Sequence, residues 1–434
     1  MESLSSAPVR SKISCQTLQS GSRCWPANLD REPSVKIQLS IISGPDLGRE
    51  FILEGHDTFL VGRTSDSHFR LSDEVAYASR RHFLLEVNPP RCRLIDLDSR
   101  NGTMLNGVRV DTAEVKDGDE IAIGITKFNV AFLLDDPVEW ATVESPVKSS
   151  EFTLDYQQFP AVFPGYRIVG ELGRGGMGVV YKALREKDGQ AVALKSITPA
   201  SGVTRRQIDR FLRECEILSQ LQHPNIVAFR EVGEASDLIF LAMELVEGSD
   251  EGERLRLHGP EPVAIAVRIL CQMLSGLAHA HGKGFVHRDI KPGNILIGRD
   301  CAKSVAKLAD FGLARVYETS KISGLTMMGD IGGTPAYMAP EQVTQYREVR
   351  PAADQYSAAA TLYRMLTTCY THDLPQDLGA QISHILSAAP VPIRDRNPDL
   401  PEGLAEVIHK ALSRDPAERY PDVVAFRKEL KRFA

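Results

Sequence analysis

The hydrophobic pattern of this chain changes twice, and those changes limit what it can fold into. From Val35 to about Leu134, short runs such as "VKIQLSIISG", "TFLVGR", "HFLLEV", "CRLIDL", "DEIAIG" and "KFNVAFLL" recur between Gly, Asn, Asp and Pro. Many short strands with regular turn signals predict an all-β sandwich over residues 35–134. The stretch "DDPVEWATVESPVKSSEF" turns acidic and then Ser/Pro-rich, so residues 135–165 read as a linker. From Tyr166 strand-like runs continue through "DLIFLAMELV", and helical periodicity follows, as in "AVRILCQMLSGLAHAHGKG". Strands followed by helices predict an α+β unit over residues 166–434, with a small β-rich part and a larger helical part. Residues 1–34 are Ser- and Pro-rich without a sustained period and are expected to form a flexible tail.

Bulk properties agree with a multidomain protein. A chain of 434 residues exceeds one compact core. With 43% hydrophobic and 25% charged residues it has an ordinary globular composition. A net charge of -6 gives no footprint for nucleic acid. Cys15, Cys24, Cys92, Cys215, Cys271, Cys301 and Cys369 are odd in number and form no CxxC pair, so no disulfide framework or structural zinc site is expected. The N-terminus lacks a signal-peptide core, and no window approaches the ~18 consecutive apolar residues of a membrane span. A cytoplasmic location is the expectation.

"GRGGMG" places glycines at 173, 175, 176 and 178. This spacing alone also suits a dinucleotide fold, but there a helix follows the glycines. Here "VVYKALREKDGQAVALKSI" reads as strand, Asp188-Gly189 turn, strand. A glycine-rich loop inside a hairpin can fold over phosphates and offer them backbone N–H groups. Lys195 lies in the second strand, and "RRQIDRFLRECEILSQLQHP" has helical spacing with Glu214 and Glu216 on it. A Lys–Glu pair would aim the ammonium at the α- and β-phosphates. Glu214 is preferred by its distance to His223-Pro224, with Glu216 the alternative.

"HRDIKPGN" runs from His287 to Asn294, and "DFG" follows at Asp310, Phe311 and Gly312. Asp289 could accept a hydroxyl proton, and Lys291 could neutralise a phosphoryl group in transfer. Asn294 and Asp310 could give Mg²⁺ hard oxygen ligands.

Together, "GRGGMG", "VALK", "HRDIKPGN", "DFG" and "APE" resemble the signature set of Hanks-type Ser/Thr protein kinases, most closely the bacterial branch, over Tyr166 to Ala434. The resemblance implies a bilobal fold with ATP and Mg²⁺ (or Mn²⁺) between the lobes and protein Ser/Thr hydroxyls as substrates. It places Gly173, Gly175, Gly176, Gly178, Val180, Ala193, Lys195 and the gatekeeper Met243 around the nucleotide. It further implies adenine contacts from the backbone of Glu244 and Val246 and a ribose contact from Asp250. Glu341 would pair with Arg419, Asp354 would anchor the catalytic loop, and Thr334 would contact Asp289 and Lys291. Two positions depart from the pattern. Glu251 stands where an apolar residue is usual and is expected to loosen the start of the next helix, and Gln355-Tyr356 replaces a common Trp or Val.

In the first domain, "VGR", "SRRH" and "SRNGTMLNG" in this order resemble the forkhead-associated (FHA) domain. That family implies binding of phosphothreonine peptides by loops at one end of the sandwich. Phosphothreonine carries a charge near −2 and three acceptor oxygens. Arg63 would give charge-assisted hydrogen bonds, Ser79 its hydroxyl, and Arg80 further charge. Arg100 and Asn101 would reach the peptide, while His82 and Asn106 would pin the loops. In the kinase family that the C-terminal part resembles, an Arg before the catalytic Asp, here Arg288, implies activation by phosphorylation of the segment after "DFG". Thr326 is the expected site there, with Ser323 and Thr319 behind it. The expected partners are protein substrates and phosphothreonine proteins, including the chain's own phosphosites through self-association. The competing expectation is a pseudokinase scaffold that only binds phosphothreonine.

Overall fold

The computed structural model describes residues 35–54, 57–88, 91–134, 163–175, 178–199, 205–235, 238–300, 303–311 and 335–434. The N-terminal domain is built from β1 (Val35–Ser43), β2 (Glu50–Glu54), β3 (Asp57–Gly62), β4 (Phe69–Arg70), β5 (Arg81–Asn88), β6 (Arg91–Asp96), β7 (Thr103–Leu105), β8 (Val108–Val110), β9 (Thr112–Val115), β10 (Glu120–Ile123) and β11 (Thr126–Leu134). They form two sheets, ordered β2-β1-β11-β10-β7-β8 and β4-β3-β5-β6-β9. Alternate residues of each strand point into the sandwich: Ile37, Leu39 and Ile41 from β1 meet Phe83, Leu85 and Val87 from β5. Phe128 packs edge-on against both Phe69 and Phe83. Asn106-Gly107 joins β7 to β8 with φ of 51° and 79°, the doubly left-handed turn that an Asn-Gly pair suits.

The other face of the second sheet is not left to water. Leu60, Leu84, Ile95 and Leu97 point away from the sandwich core and are buried with Val343, Tyr346, Ile382 and Leu386 of the C-terminal domain. Each such side chain removed from water contributes about 1.5–3 kcal/mol. Thr58 Oγ1 donates to the Val343 carbonyl at 2.7 Å, and Arg81 Nη1 donates to that of Leu386 at 3.1 Å.

The C-terminal domain has two lobes. In the small lobe β12 (Tyr166–Gly175), β13 (Gly178–Arg185), β14 (Ala191–Ile197), β15 (Phe229–Ala235) and β16 (Leu238–Glu244) form a sheet ordered β12-β13-β14-β16-β15. The helix α1 (Arg205–Leu218) buries Phe211, Cys215 and Leu218, as its spacing predicts. The large lobe contains α2 (Glu251–His258), α3 (Val263–His281) and a small sheet of β17 (Gly248–Asp250), β18 (Ile295–Asp300) and β19 (Lys303–Leu308). Then come α4 (Pro340–Thr344), a short 3-10 turn over 346–348, α5 (Pro351–Thr367), α6 (Leu378–Ser387), α7 (Ile393–Arg396), α8 (Glu402–Ala411) and α9 (Val423–Leu430). Among the described residues α3 is long and apolar enough to cross a membrane, yet Val267, Leu270, Leu274 and Leu277 pack it into the lobe's core.

Candidate active site

The cleft between the lobes is assembled from a sheet edge and one loop. β12 and β13 pair antiparallel up to Gly175 and Gly178, so the glycines sit in a hairpin and no helix follows them. Gly178 has φ of 138°, and an added Cβ would overlap the Ser196 carbonyl oxygen. Register places Val180 beside Lys195, and Ala193 beside Met243. Four of the expected nucleotide-site residues therefore share one patch of sheet.

The loop is fixed from below by Asp354, which is fully buried on α5. Its carboxylate accepts the backbone N–H groups of His287 and Arg288, each at 2.8 Å, and lies 2.8 Å from His281 Nε2. These bonds hold Arg288 in a left-handed conformation, φ 69°. His287 Nδ1 accepts the Asp289 N–H at 3.2 Å, so Nε2 carries the proton given to the Ala309 carbonyl at 3.0 Å. Lys291 Nζ and Asn294 Nδ2 both meet Asp289 Oδ2 at 3.0 Å. Asn294 Nδ2 also donates to the Asp289 carbonyl at 2.7 Å. Among the described residues no donor engages Asp289 Oδ1. Opposite, Lys195 Nζ meets Asp310 Oδ2 at 2.9 Å. Burial opposes the charge on Asp310, but Lys195, with His287 and Lys291 farther off, holds its pKa below the ordinary carboxylate value.

At one end of the sandwich three loops meet. Arg63 Nε donates to the Ala78 carbonyl at 2.8 Å, which fixes the guanidinium at the loop edge. The Ser79 N–H donates to His82 Nδ1 at 2.8 Å, and His82 Nε2 faces the Gly102 carbonyl at 3.3 Å. Burial holds the His82 pKa below its ordinary value, so the ring stays neutral and bridges the two loops. Ser79 Oγ accepts the Arg100 N–H at 3.0 Å, leaving its own proton to give. Asn101 Nδ2 donates to the Tyr77 carbonyl at 2.6 Å. Asp96 orders the loop beneath Arg100 through Ser99 N (2.8 Å), Ser99 Oγ (2.6 Å) and Thr103 Oγ1 (2.5 Å). Arg80, Arg100 and Asn101 are exposed and Arg63 and Ser79 half-buried, a cationic rim around a hydroxyl. Asn106 bridges Asp119 Oδ1 and the Glu120 N–H at 2.8 and 2.9 Å, a structural clasp as expected.

Residues 166–427 match the family model described as protein kinase domain. The chain belongs to the protein kinase family. Residues 59–124 of the kinase match the FHA domain model. The kinase is 35% identical over 271 residues to the serine/threonine-protein kinase pkn3 of Myxococcus xanthus, covering 61% of this chain and 49% of that protein. It is 37% identical over 265 residues to PknD of Mycobacterium tuberculosis, covering 61% of this chain and 39% of that protein. The chain thus spans about half, or less, of the length of these curated relatives. Among solved structures, Rad53 1-466 in complex with AMP-PNP has a fold that covers 91% of this chain and 99% of that one, with a TM-score of 0.50 and 23% identity. The Mycobacterium tuberculosis PknI kinase domain covers 62% of this chain and 96% of its own, with a TM-score of 0.50 and 28% identity.

Two sequence expectations for the kinase need correction. Lys195 was expected to pair with Glu214, but its ion pair is with Asp310. The left-handed φ of 55° at Asp310 accompanies the turn that brings its carboxylate to β14. Glu214 is half-buried on α1 and Glu216 exposed, so of the two Glu214 is the residue turned inward. Glu251 does not loosen its helix. Asp250 caps α2 by accepting the Glu253 N–H at 2.9 Å, and Arg254 Nε reaches Glu251 Oε2 at 3.2 Å. One Asp250 oxygen is thereby engaged, and the other is what it could offer a ribose.

The expected pairing of Glu341 with Arg419 is in place. Arg419 grips Glu341 with both nitrogens, at 2.6 and 2.8 Å. Gln355 exchanges two 3.0 Å hydrogen bonds with the backbone of Tyr420. Glu244 uses its carboxylate on Lys307 at 2.9 Å, which leaves backbone as what residues 244–246 could give a base. Asn294 and Asp310 are joined through the Ala309 N–H, which donates to the Asn294 carbonyl at 2.8 Å. An amide and a carboxylate so placed are hard oxygen donors, a set that fits Mg²⁺ completed by phosphate and water. Gly176, Thr334 and the phosphosite candidates Thr319, Ser323 and Thr326 lie outside the described residues. Sequence reasoning missed Gln342, whose Nε2 donates to the Arg288 carbonyl at 2.6 Å, and Arg81, which spans Asp66 and α6. Neither carries a local signal, because Arg288 and Leu386, the partners that matter, lie 54 and 305 residues away in the chain.

Proposed function

We propose that this chain is a Ser/Thr protein kinase that transfers the γ-phosphoryl group of ATP to protein hydroxyls, and that its FHA domain holds phosphothreonine proteins. The observation that carries the first part is Asp289. Lys291 and Asn294 fix its Oδ2, so Oδ1 is presented to a substrate hydroxyl and can take its proton as the phosphoryl group moves. Lys291, 3.0 Å away, balances charge on the group in transfer. Lys195 and the hairpin backbone orient the nucleotide phosphates. Asn294 and Asp310 would hold Mg²⁺, which supplies charge neutralisation on those phosphates. Asp310 remains ionised for that task because Lys195 depresses its pKa against burial. Catalysis of this kind rests on positioning and electrostatics.

The test is labelled-phosphate transfer from ATP, wild type against Asp289→Asn, to a generic basic protein and to the chain itself. Labelling by wild type and its loss in Asp289→Asn support the reading. Equal background labelling by both would reduce the chain to a phosphothreonine-binding scaffold. For the FHA domain, the carrying observation is the Arg63, Ser79, Arg80 and Arg100 rim pinned by His82. Autophosphorylation at Thr326, with Ser323 and Thr319 as further sites, would give the domain a ligand on its own chain. Mapping phosphosites on the purified wild type and titrating the full chain with a phospho-Thr326 peptide test this. No binding at high micromolar peptide, with a control phosphopeptide bound, would exclude the self-recognition.

A further inference from the structure

The FHA sandwich and the catalytic loop are linked by an unbroken series of contacts. The outer sheet face, through Leu60, Leu84, Ile95 and Leu97, is buried with Val343 of α4 and Tyr346 of the turn that follows it. Thr58 adds a hydrogen bond to the Val343 carbonyl. One residue before Val343, buried Gln342 holds the Arg288 carbonyl at 2.6 Å. The Arg288 guanidinium lies 5.3 Å from the centre of the Tyr346 ring. Arg288 immediately precedes Asp289 and sits in the left-handed region at φ 69°. A non-glycine residue stays there only when its surroundings impose it. Asp354 imposes it from the large-lobe core, and Gln342 holds it from the side of the sandwich.

The helix α4 is too short to fix its own position. It has five residues and barely more than one turn. Its place is set from outside: Arg419 grips Glu341, Gln342 grips the catalytic loop, and Val343 sits in a cluster shared by the sandwich and by Ile382 and Leu386 of α6. Removing the sandwich takes away the Thr58 hydrogen bond to the Val343 carbonyl and the cover of Leu60, Leu84, Ile95 and Leu97, leaving Val343 with Tyr346, Ile382 and Leu386 from the buried side chains of that cluster.

We propose that the FHA sandwich is a positioning element of the catalytic loop, acting through α4 and the 346–348 turn to set where Asp289 stands. This rests on the phosphoryl-transfer reading above for its kinetic consequence, but not for its structural one. Asn294, the Mg²⁺ donor proposed above, shares the catalytic loop with Asp289, but the hairpin glycines, Lys195 and Asp310 that would hold the nucleotide lie off this path. Undocking therefore lowers turnover and leaves nucleotide affinity nearly unchanged.

Gly379 offers a selective way to undock the domains. It is the second residue of α6, and an added Cβ would overlap the Asp96 carbonyl oxygen of the sandwich. Its φ is not left-handed, so alanine suits the helix itself better than glycine does. Gly379→Ala thus acts as a wedge whose strain falls on the interface. Leu84→Glu is the second variant, since Leu84 belongs to the interface cluster and not to the sandwich core, and Leu84→Met is its conservative control.

On the full chain, hydrogen exchange is read at 286–290, 338–346 and 378–387, together with kcat and KM for MgATP. Expected for Gly379→Ala and Leu84→Glu is faster exchange in all three segments, a kcat lower by about tenfold or more, and a KM within about twofold. Leu84→Met should stay close to wild type. Faster exchange at 378–387 with kcat and the 286–290 segment unchanged would overturn the proposal, as would a raised kcat, which would make the docked sandwich an inhibitor. Unchanged exchange everywhere would also overturn it, because the wedge cannot be accommodated in the docked arrangement. A collapse of kcat with a rise in KM and a lost melting transition in both variants would mean a general structural role and count against it. Exchange at 286–290 needs no turnover, so an inactive wild type would remove the kinase reading while this arm still decides the coupling.

Discussion

Asp354 accepts the backbone N–H groups of both His287 and Arg288, each at 2.8 Å, from a position with no exposure to water. Asp354→Ala leaves two buried donors without a partner, at a cost of about 1–3 kcal/mol each. It also frees the left-handed Arg288. Thermal unfolding of Asp354→Ala should show a clear loss of stability, and phosphoryl transfer should fall through kcat. Asp354→Asn keeps one acceptor and should lose less on both measures.

Two glycines of the hairpin should respond differently to the same change. A Cβ at Gly178 would overlap the Ser196 carbonyl oxygen at a φ of 138°. A Cβ at Gly173 meets nothing within 4 Å. Gly178→Ala is therefore expected to push β13 from β14, raise the KM for MgATP about tenfold and lower the melting temperature. Gly173→Ala should leave the melting temperature close to wild type. Equal effects of the two would contradict the hairpin geometry.

Glu251 makes stability depend on pH with an unusual sign. Burial disfavours its charge, Glu261 adds like charge, and the carboxyl is pushed up to about 7 from an ordinary 4.5 despite Arg254. The folded chain holds this proton more tightly than the unfolded chain. Its contribution is fully present below pH 4.5 and is lost as pH rises through 7. The melting temperature of wild type should thus decline from pH 5 to pH 8 relative to that of Glu251→Gln, by an amount worth about 1–3 kcal/mol. Parallel curves for the two proteins would show that Glu251 titrates normally.

Arg63 is tied through Nε to the Ala78 carbonyl at 2.8 Å, so its remaining nitrogens have one direction to face. Arg63→Ala should weaken phosphothreonine-peptide binding by the full chain at least about tenfold, and Arg63→Lys should not restore it, because one ammonium cannot both brace the loop and fork onto phosphate. His82→Ala should weaken binding without touching the peptide, by releasing Ser79 from the Gly102 loop. Fluorescence titration with phosphorylated and unphosphorylated peptide separates these outcomes.

Much of this was legible in the residues. The glycine spacing followed by a strand, the run from His287 to Asn294, and the Asn-Gly turn at 106–107 each carry their physics within a few neighbours. The partner of Lys195 was not legible, because Asp310 and Glu214 are both acids and only the fold decides which lies nearer. The docked sheet was half legible. "HFLLEV" is apolar on both faces, as a strand covered on two sides must be. Nothing local says that Val343 and Leu386 supply the second cover.

The distance along the chain between those two faces also has a cost during synthesis. Thr58 and Val343 are 285 residues apart. At about 5–20 residues per second, the sandwich leaves the ribosome roughly 15–60 seconds before its cover is made. Throughout that interval Leu60, Leu84, Ile95 and Leu97 form an oily sheet face beside other nascent chains. A truncated product that ends before α4 would keep that face permanently, and the isolated FHA domain is expected to be the more aggregation-prone half of this protein.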